Sequence, residues 1–212
     1  MPIIFQQQLS DGAQLALWEI TEPLFYFEQL IAPARPIAHE EVKRRHLAAR
    51  VALLSLAPDF PLDQLLLNPA GKPFLEGGSQ HLSFSHTTDF AAAIYAQGNS
   101  VGIDVEKVGE RIFRIRHKYL SDQEQAHLQE AIKLDTLQES EVAARWLTLC
   151  WSAKESLYKW KGEHGVDFIN DLQLISVLPD LSQLLFKTTF REEPLRVDYK
   201  YWDSLVLTWV HA

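Results

Sequence analysis

The clearest chemical feature of the sequence is a pair of acidic residues two positions apart. Asp104 and Glu106 alternate with apolar residues in the segment 102–106, and this alternation predicts a β-strand. Residues two apart in a strand point to the same face, so the two carboxylates would lie side by side. Such a pair suits a hard divalent cation with oxygen ligands. On spacing alone, however, two solvated acids on an exposed strand face are the more common interpretation.

A second candidate lies on a predicted helix in the second half of the chain. Glu155 and Lys159 are one helical turn apart and would face the same way. They could add a third carboxylate to a magnesium site and an ammonium to hold a phosphate. The alternative is a surface ion pair, which contributes only about 0.3–0.5 kcal/mol. Aromatic residues around the helix predict burial on several sides, and buried charges need partners, which favours the functional interpretation. These residues are Trp146, Trp151, Tyr158 and Trp160.

Composition limits the partners. The net charge of −8 argues against nucleic acid and anionic membranes, so any anion site must be local. The single cysteine, Cys150, excludes an intrachain disulfide and fits a reducing compartment. The first residues do not resemble a secretory signal, and the longest apolar run is far below the roughly 20 residues that span a bilayer. We therefore expect a cytoplasmic protein that binds neither nucleic acid nor membrane.

Basic and polar residues form a third group of candidates, each with an ordinary alternative. The arginines of the first long helix would be a solvated face, Lys72 an ordinary turn lysine, and His86 a structural or exposed histidine. The basic residues of segment 111–118 are interpreted as a solvated helix face. The sequence contains no P-loop, dinucleotide-binding, zinc-protease or α/β-hydrolase motif.

The predicted elements place these residues in an α+β chain. Helices are expected at 39–56, from about 122, and at 139–161, where Gly162 ends the last one. A loop is expected at 32–36, and Ser121 with Glu124 forms a capping-box pattern. The predicted strands are 15–20, then 82–86, 90–96 and 101–106 as an antiparallel meander, and finally 168–176, 184–190, 195–201 and 205–210.

Four segments occur in the order of a known family: Gly71–Pro73, Phe84–His86, Gly102–Glu106 and Trp151–Lys159. In this order they resemble the 4′-phosphopantetheinyl transferases of the larger, surfactin-synthetase-activating type, over about residues 40–166. The resemblance implies an α+β fold of two pseudo-symmetric halves in one chain, residues 1–106 and 107–212. Coenzyme A would bind in the cleft between them.

The resemblance also assigns roles by position. Magnesium would be held by Asp104, Glu106 and Glu155. Lys159 would lie near the pyrophosphate, and the coenzyme A phosphates would be held by Ser85 and His86, with Lys72 as a neighbouring basic contact. Arg45 would bind the 3′-phosphate, although Arg44 and Arg50 are close competitors. Relatives of this type often carry more basic residues before the first long helix, where segment 28–41 offers only Arg35.

The implied reaction transfers 4′-phosphopantetheine from coenzyme A to a serine of an apo acyl or peptidyl carrier protein and releases adenosine 3′,5′-bisphosphate. Glu155, Lys159 and His86 would be the catalytic residues, with Glu155 as candidate base, directly or through a water. Ligation to magnesium would make that carboxylate a weak base. We expect a monomer whose partner is a small acidic helical protein. A non-catalytic module of the same fold that binds coenzyme A or another nucleotide remains an alternative, as does a purely structural domain.

Overall fold

The structure is a computed structural model that describes residues 2–32, 36–134, 136–138 and 140–212. Most of the loop expected at 32–36, including Arg35, lies outside the described residues. The α-helices are α1 (Leu24–Leu30), α2 (Glu40–Leu56), α3 (Arg111–Ile115), α4 (Asp122–Ile132) and α5 (Glu141–Lys161). The strands of the first half are β1 (Ile3–Gln8), β2 (Gln14–Glu19), β3 (Leu66–Leu67), β4 (Pro73–Phe74), β5 (Gln80–His86) and β6 (Phe90–Gln97). The remaining strands are β7 (Val101–Lys107), β8 (Leu172–Leu178), β9 (Gln183–Thr188), β10 (Arg191–Trp202) and β11 (Leu205–His211).

The strands form two antiparallel sheets within the described residues. The first has the order β1-β2-β6-β5-β4-β3 and the second the order β7-β11-β10-β9-β8. The α+β class predicted from the sequence is confirmed. The expected meander is wrong for its third strand, because β7 pairs with β11 rather than with β6. Strand alternation specifies which face is buried but not which strand is the neighbour, and β11 offers β7 a seven-residue ladder.

Each sheet carries one long helix. Helix α2 packs on β2 and β6 of the first sheet, where Ala16 and Trp18 point toward it. Helix α5 packs on β7 and β11 of the second sheet. The opposite faces of the sheets share a core that includes Leu15 of β2, Ile94 of β6 and Ile103 of β7. The layers therefore run from helix to sheet to sheet to helix, and β7 lies between the first sheet and α5.

Close contact between α5 and β7 depends on small residues. A Cβ atom at Gly102 would clash with the carbonyl oxygen of Ser156 and with the backbone of Trp160. Ser152 and Ser156 hydrogen-bond to Thr208 of β11 at 2.9 and 2.6 Å. Because these side chains are short, the helix lies directly on the strand that carries the two acids.

The structure confirms helix ends that local signals in the sequence predicted. The capping box of Ser121 and Glu124 is confirmed, and α4 begins at Asp122. Ser140 caps α5 by accepting a hydrogen bond from the backbone of Ala143, whereas the expected first residue, Glu139, lies outside the described residues. Gly162 ends α5 in the left-handed conformation, with φ of 64°.

The elements that were not predicted include β1, α1 and the two-residue strand β3. β1 contains three consecutive glutamines and has no clear alternation, and it pairs with β2 at the edge of the first sheet. α1 has only seven residues and its N-cap is Pro23, without a side-chain cap. Among the described helices, none is long and apolar enough to cross a membrane.

Candidate active site

A cavity of about 540 Å³ opens where the two sheets and the two long helices meet. Strand β7 and helix α5 form one wall, and α2, β5 and the turn before β4 form the other. Most of the site residues predicted from the sequence converge here, although their segments are far apart in the chain. Arg45 is not among the residues that line the cavity. Those that line the cavity are Lys72, Ser85, His86, Asp104, Glu106, Glu155 and Lys159.

Asp104 is the most enclosed of the acids, with 3% of its surface exposed. Its Oδ1 atom accepts hydrogen bonds from Ser85 Oγ at 2.8 Å and from Lys159 Nζ at 2.6 Å. Its Oδ2 atom is buried and has no hydrogen-bond partner among the described residues. The interpretation of Asp104 as a solvated surface acid is therefore wrong.

The other two carboxylates share this environment. Glu106 Oε1 accepts a hydrogen bond from Trp151 Nε1 at 3.0 Å. Burial, and then the charge of Asp104, raise the pKa of Glu106 above its ordinary value. Burial, and then Asp104, raise the pKa of Glu155 to about 7, against the opposing effect of Lys159. The negative charges of the three groups thus disfavour one another, as expected of a site that gains from a cation.

These residues fit a hard divalent cation. The donor set is entirely carboxylate oxygen, which magnesium prefers, and the orphaned Oδ2 of Asp104 supplies an acceptor that lacks a partner. In the described part of the chain, no group of three or more His, Cys, Asp or Glu residues is already arranged to hold a metal ion. Asp104, Glu106 and Glu155 are the residues that would hold the ion.

Lys159 does not form the surface ion pair with Glu155 that its spacing allowed. Its ammonium lies 2.6 Å from Asp104 Oδ1 and so connects α5 to β7. The side chain is 26% exposed and lines the cavity. It therefore contributes a positive charge to the cavity beside the acids.

Ser85 and His86 end strand β5 on the opposite wall. The Ser85 hydroxyl is buried and hydrogen-bonded to Asp104 and to the backbone of β7. His86 keeps an exposed surface at the cavity mouth, yet partial burial of its ring lowers its pKa, and the charges of Arg45, Lys159 and Arg50 lower it further. His86 is thus surrounded by positive charge.

The three arginines that are candidates for binding the 3′-phosphate occupy different environments. Arg44 pairs with Glu41 at 2.8 Å. Arg45 is half-buried, and its charge acts on His86. Arg50 is buried, lines the cavity, donates to the carbonyl of His46 at 3.0 Å and lies 4.9 Å from the centre of the Phe84 ring.

Lys72 lies against the end of α5. Its Nζ donates to the carbonyl of Trp160 at 2.5 Å, and burial lowers its pKa to about 8. The neighbouring Asn68 donates to the carbonyl of Gly162 at 2.8 Å. These bonds satisfy carbonyls that a helix end leaves open, so the turn formed by residues 68–72 caps α5 from the other half of the chain. Sequence reasoning missed Asn68, which the Asn-Pro-Ala-Gly turn pattern could have indicated.

Sequence reasoning also missed Lys154, which neighbours Glu155 and has no exposed surface. Its ammonium donates to Glu124 Oε1 at 2.6 Å and to the carbonyls of Tyr119 and Phe168 at 2.6 and 2.7 Å. Lys154 shares a buried helical stripe with Cys150 and Leu157, and this position was the available signal. The bonds of Lys154 to Glu124 and to Phe168 therefore connect α5 to α4 and to the segment before β8.

The fold brings three carboxylates and the ammonium of Lys159 to one cavity. A model of the 4′-phosphopantetheinyl transferase superfamily matches residues 100–210, from the start of β7 almost to the end of β11. The chain therefore belongs to this superfamily, which associates it with transfer of phosphopantetheine groups in general. A search of curated proteins found no significant match.

Proposed function

We propose that this chain transfers 4′-phosphopantetheine from coenzyme A to a serine of an apo acyl or peptidyl carrier protein, with magnesium, as transferases of the larger, surfactin-synthetase-activating type do. The observation that carries the proposal is the meeting of Asp104, Glu106 and Glu155 with Lys159 in one cavity. Family membership supports the reaction class. The carboxylates and the ammonium supply the opposite charges that a metal-bound diphosphate requires.

Phosphoryl transfer depends mainly on positioning and on stabilisation of charge, and the side chains of the cavity suit both tasks. Magnesium, held by Asp104, Glu106 and Glu155, would neutralise negative charge that develops on the phosphoryl group. Lys159 would donate to the pyrophosphate, and His86 would add a donor from the opposite wall. Arg45 is proposed for the 3′-phosphate and Lys72 as a basic contact nearby.

The attacking serine must lose a proton as its oxygen bonds to the β-phosphorus of coenzyme A. Glu155 is the proposed base, because it lines the cavity and has a pKa of about 7, near the value that suits proton transfer at neutral pH. Metal ligation would lower that pKa and weaken the base. The bond to the leaving adenosine 3′,5′-bisphosphate breaks as the new phosphodiester forms.

The carrier protein is proposed to be small, acidic and helical. Arg111, Arg114, Arg116 and Lys118 form a basic segment that directly follows β7. In a chain of net charge −8, such a local patch would favour an acidic partner next to the site. We also propose a cytoplasmic monomer, in which the lone Cys150 stays a buried free thiol.

Division into two pseudo-symmetric halves, 1–106 and 107–212, belongs to the same proposal. The presence of one antiparallel sheet and one long helix in each part of the chain supports it. A boundary drawn by sheet pairing would fall at residues 98–100 instead, because β7 hydrogen-bonds within the second sheet.

The test is the intact mass of a purified apo carrier protein after incubation with this chain, coenzyme A and magnesium. We expect the mass to rise by one phosphopantetheine group, and EDTA or Asp104→Ala to prevent the rise. No rise across fatty acid, polyketide, nonribosomal peptide and lysine-pathway carriers, with coenzyme A still bound, would favour a binding module instead. Absence of both binding and transfer would overturn the proposal.

A further inference from the structure

Asn68 connects the two halves of the chain beside the cavity. Its Nδ2 atom donates a hydrogen bond to the carbonyl of Gly162, the C-cap residue of α5, at 2.8 Å. Its Oδ1 atom accepts a hydrogen bond from the backbone N–H of Lys72 at 2.9 Å. One side-chain amide therefore shapes its own turn and also holds the end of α5. Asn68 is half-buried and is not among the residues that line the cavity.

Two further hydrogen bonds join the same two segments. Lys72 Nζ donates to the carbonyl of Trp160 at 2.5 Å. In the opposite direction, His164 Nε2 lies 2.9 Å from the carbonyl oxygen of Pro69 and donates to it, because a carbonyl oxygen only accepts. The turn formed by residues 68–72 and the end of α5 are thus held together by donors from both sides.

The two segments also pack closely at Gly162. This residue has φ of 64°, and a Cβ atom placed on it would lie 2.2 Å from Cδ of Lys72. Glycine is therefore needed here both for its backbone conformation and for the space that it leaves. Because the side chain of Lys72 occupies that space, the end of α5 lies directly against the turn.

The last turn of α5 also carries Lys159, three residues before Gly162. Carbonyls at a helix C-terminus have no partner within the helix, and helix ends fray when they are not capped. Loss of the bond from Asn68 would therefore loosen the backbone from which the ammonium of Lys159 extends. The bond of Lys159 to Asp104 restrains the tip of the side chain, at 2.6 Å, but not this backbone.

We infer that Asn68 is a positioning residue, which holds the last turn of α5 and thereby places Lys159 for contact with an anion in the cavity. Asn68 acts through the backbone of α5 and not by touching the ligand. The inference rests on the proposed function for the identity of that anion, the diphosphate of coenzyme A. The hold of Asn68 on the helix end does not depend on the ligand.

The first experiment compares Asn68→Ala with Ser140→Ala, a matched control at the other end of the same helix. Ser140 caps α5 by accepting from the backbone of Ala143, so each variant removes one capping bond from α5. Hydrogen exchange, followed by mass spectrometry without coenzyme A, measures the local opening of both helix ends. We expect exchange to become about fivefold faster in the last turn of α5 in Asn68→Ala, and in the first turn in Ser140→Ala. Slow exchange in the core strands establishes that each variant is folded.

The second experiment tests whether the helix end positions Lys159. Calorimetry should show affinity for coenzyme A about fivefold weaker in Asn68→Ala and changed less than about twofold in Ser140→Ala. The double variant Asn68→Ala, Lys159→Ala should bind coenzyme A as Lys159→Ala does, because Asn68 acts through that ammonium. Losses that add in the double variant would overturn the inference, since Asn68 would then act on the ligand by another route.

A third variant separates the two hydrogen bonds of Asn68. Asn68→Asp keeps an oxygen that accepts from Lys72 but loses the donor to Gly162. We expect it to exchange at the end of α5 at least as fast as Asn68→Ala does. Exchange as slow as in the unsubstituted chain, in either variant, would overturn the inference. An unsubstituted chain that did not bind coenzyme A would instead overturn the proposed function, and exchange would still decide whether Asn68 holds the helix end.

Discussion

The two walls of the cavity differ in charge and in the kind of bonds that hold their side chains. On the acidic wall, Asp104 and Glu106 are held by side chains from other elements, Ser85 and Lys159 for one and Trp151 for the other. On the basic wall, Lys72 donates to a backbone carbonyl of α5. The acidic wall therefore has carboxylates held by directed bonds, as a cation site needs. The basic wall offers positive charge to an anion, for which orientation matters less.

The largest effect is expected from a substitution of Glu155 on the acidic wall, which is the wall that β7 and α5 form. Glu155→Gln keeps the size of the side chain but removes its charge and its capacity to take a proton. We expect the rate of carrier modification to fall by about 10²–10⁴-fold, the usual range for a lost general base, with unchanged secondary structure. Steady-state assay by intact mass and circular dichroism check this together. Activity near that of the unsubstituted chain would remove Glu155 from the mechanism.

A second prediction tests how firmly the helix behind the acidic wall is anchored. Lys154→Met leaves Glu124 buried without its ammonium, and removal of one partner of a buried pair costs about 3–5 kcal/mol. Urea denaturation should report this loss in the free energy of unfolding. The double variant Lys154→Met, Glu124→Gln should recover part of it, because no buried charge is then unpaired. A double variant no more stable than Lys154→Met would show that the lost charge pairing is not the cause.

A third prediction sharpens the description of the basic wall. Arg45→Ala should weaken binding of coenzyme A about tenfold, through loss of one charge-assisted contact, and should affect dephospho-coenzyme A much less. Arg44→Ala is the matched control, since Arg44 is the preceding residue on α2 and pairs with Glu41. Calorimetric affinities for the two ligands provide the measurement. An equal loss for both ligands would argue against a 3′-phosphate contact at Arg45.

The smallest effect concerns His211, which connects the two sheets away from both walls. His211 Nδ1 lies 2.8 Å from Asp11 Oδ2, and Nε2 lies 3.7 Å from Asp198 Oδ2. Asp198, and then Asp11, raise the pKa of His211 above 6.5, against the opposing effect of burial. A raised folded-state pKa stabilises the protein fully below pH 6.5, and this stabilisation is lost as pH rises through the folded-state value.

The unfolding free energy should therefore fall as the pH rises from about 6.5 through the folded-state pKa of His211, and it should fall less in His211→Gln. Urea denaturation at several pH values measures the difference. The same slope in both proteins would mean that another group causes the pH dependence.

Local signals in the sequence predicted much of this structure. The alternation around Asp104 identified β7, and Ser121 and Gly162 marked helix ends. Each of these signals depends only on residues that are close together in sequence. The acids, Lys159 and His86 were identified as site residues through their order along the chain. Their meeting in one cavity is an observation of the structure, while their roles remain predictions.

Long-range partners were not predictable in the same way. Nothing near Lys154 in sequence indicates that its ammonium would bond to Glu124, thirty positions earlier. The burial of Asp104 depends on β5 and α5, which the alternation of β7 does not specify. Hydrogen bonds such as that of Asn68 to Gly162 join parts of the chain that only the tertiary fold brings together.

The pairing of β7 with β11 has a kinetic consequence. Asp104 lies opposite Thr208, which follows it by 104 positions, so the ladder beside the acids closes a very long loop. Contacts of such sequence separation form slowly, because the entropy of loop closure is lost before the ladder stabilises it. Ribosomal synthesis would release β7 well before β11. The strand that carries the acids would therefore have no ladder partner until β11 emerged. The wall of the cavity that β7 and α5 form would then be completed only after β11 has paired with β7.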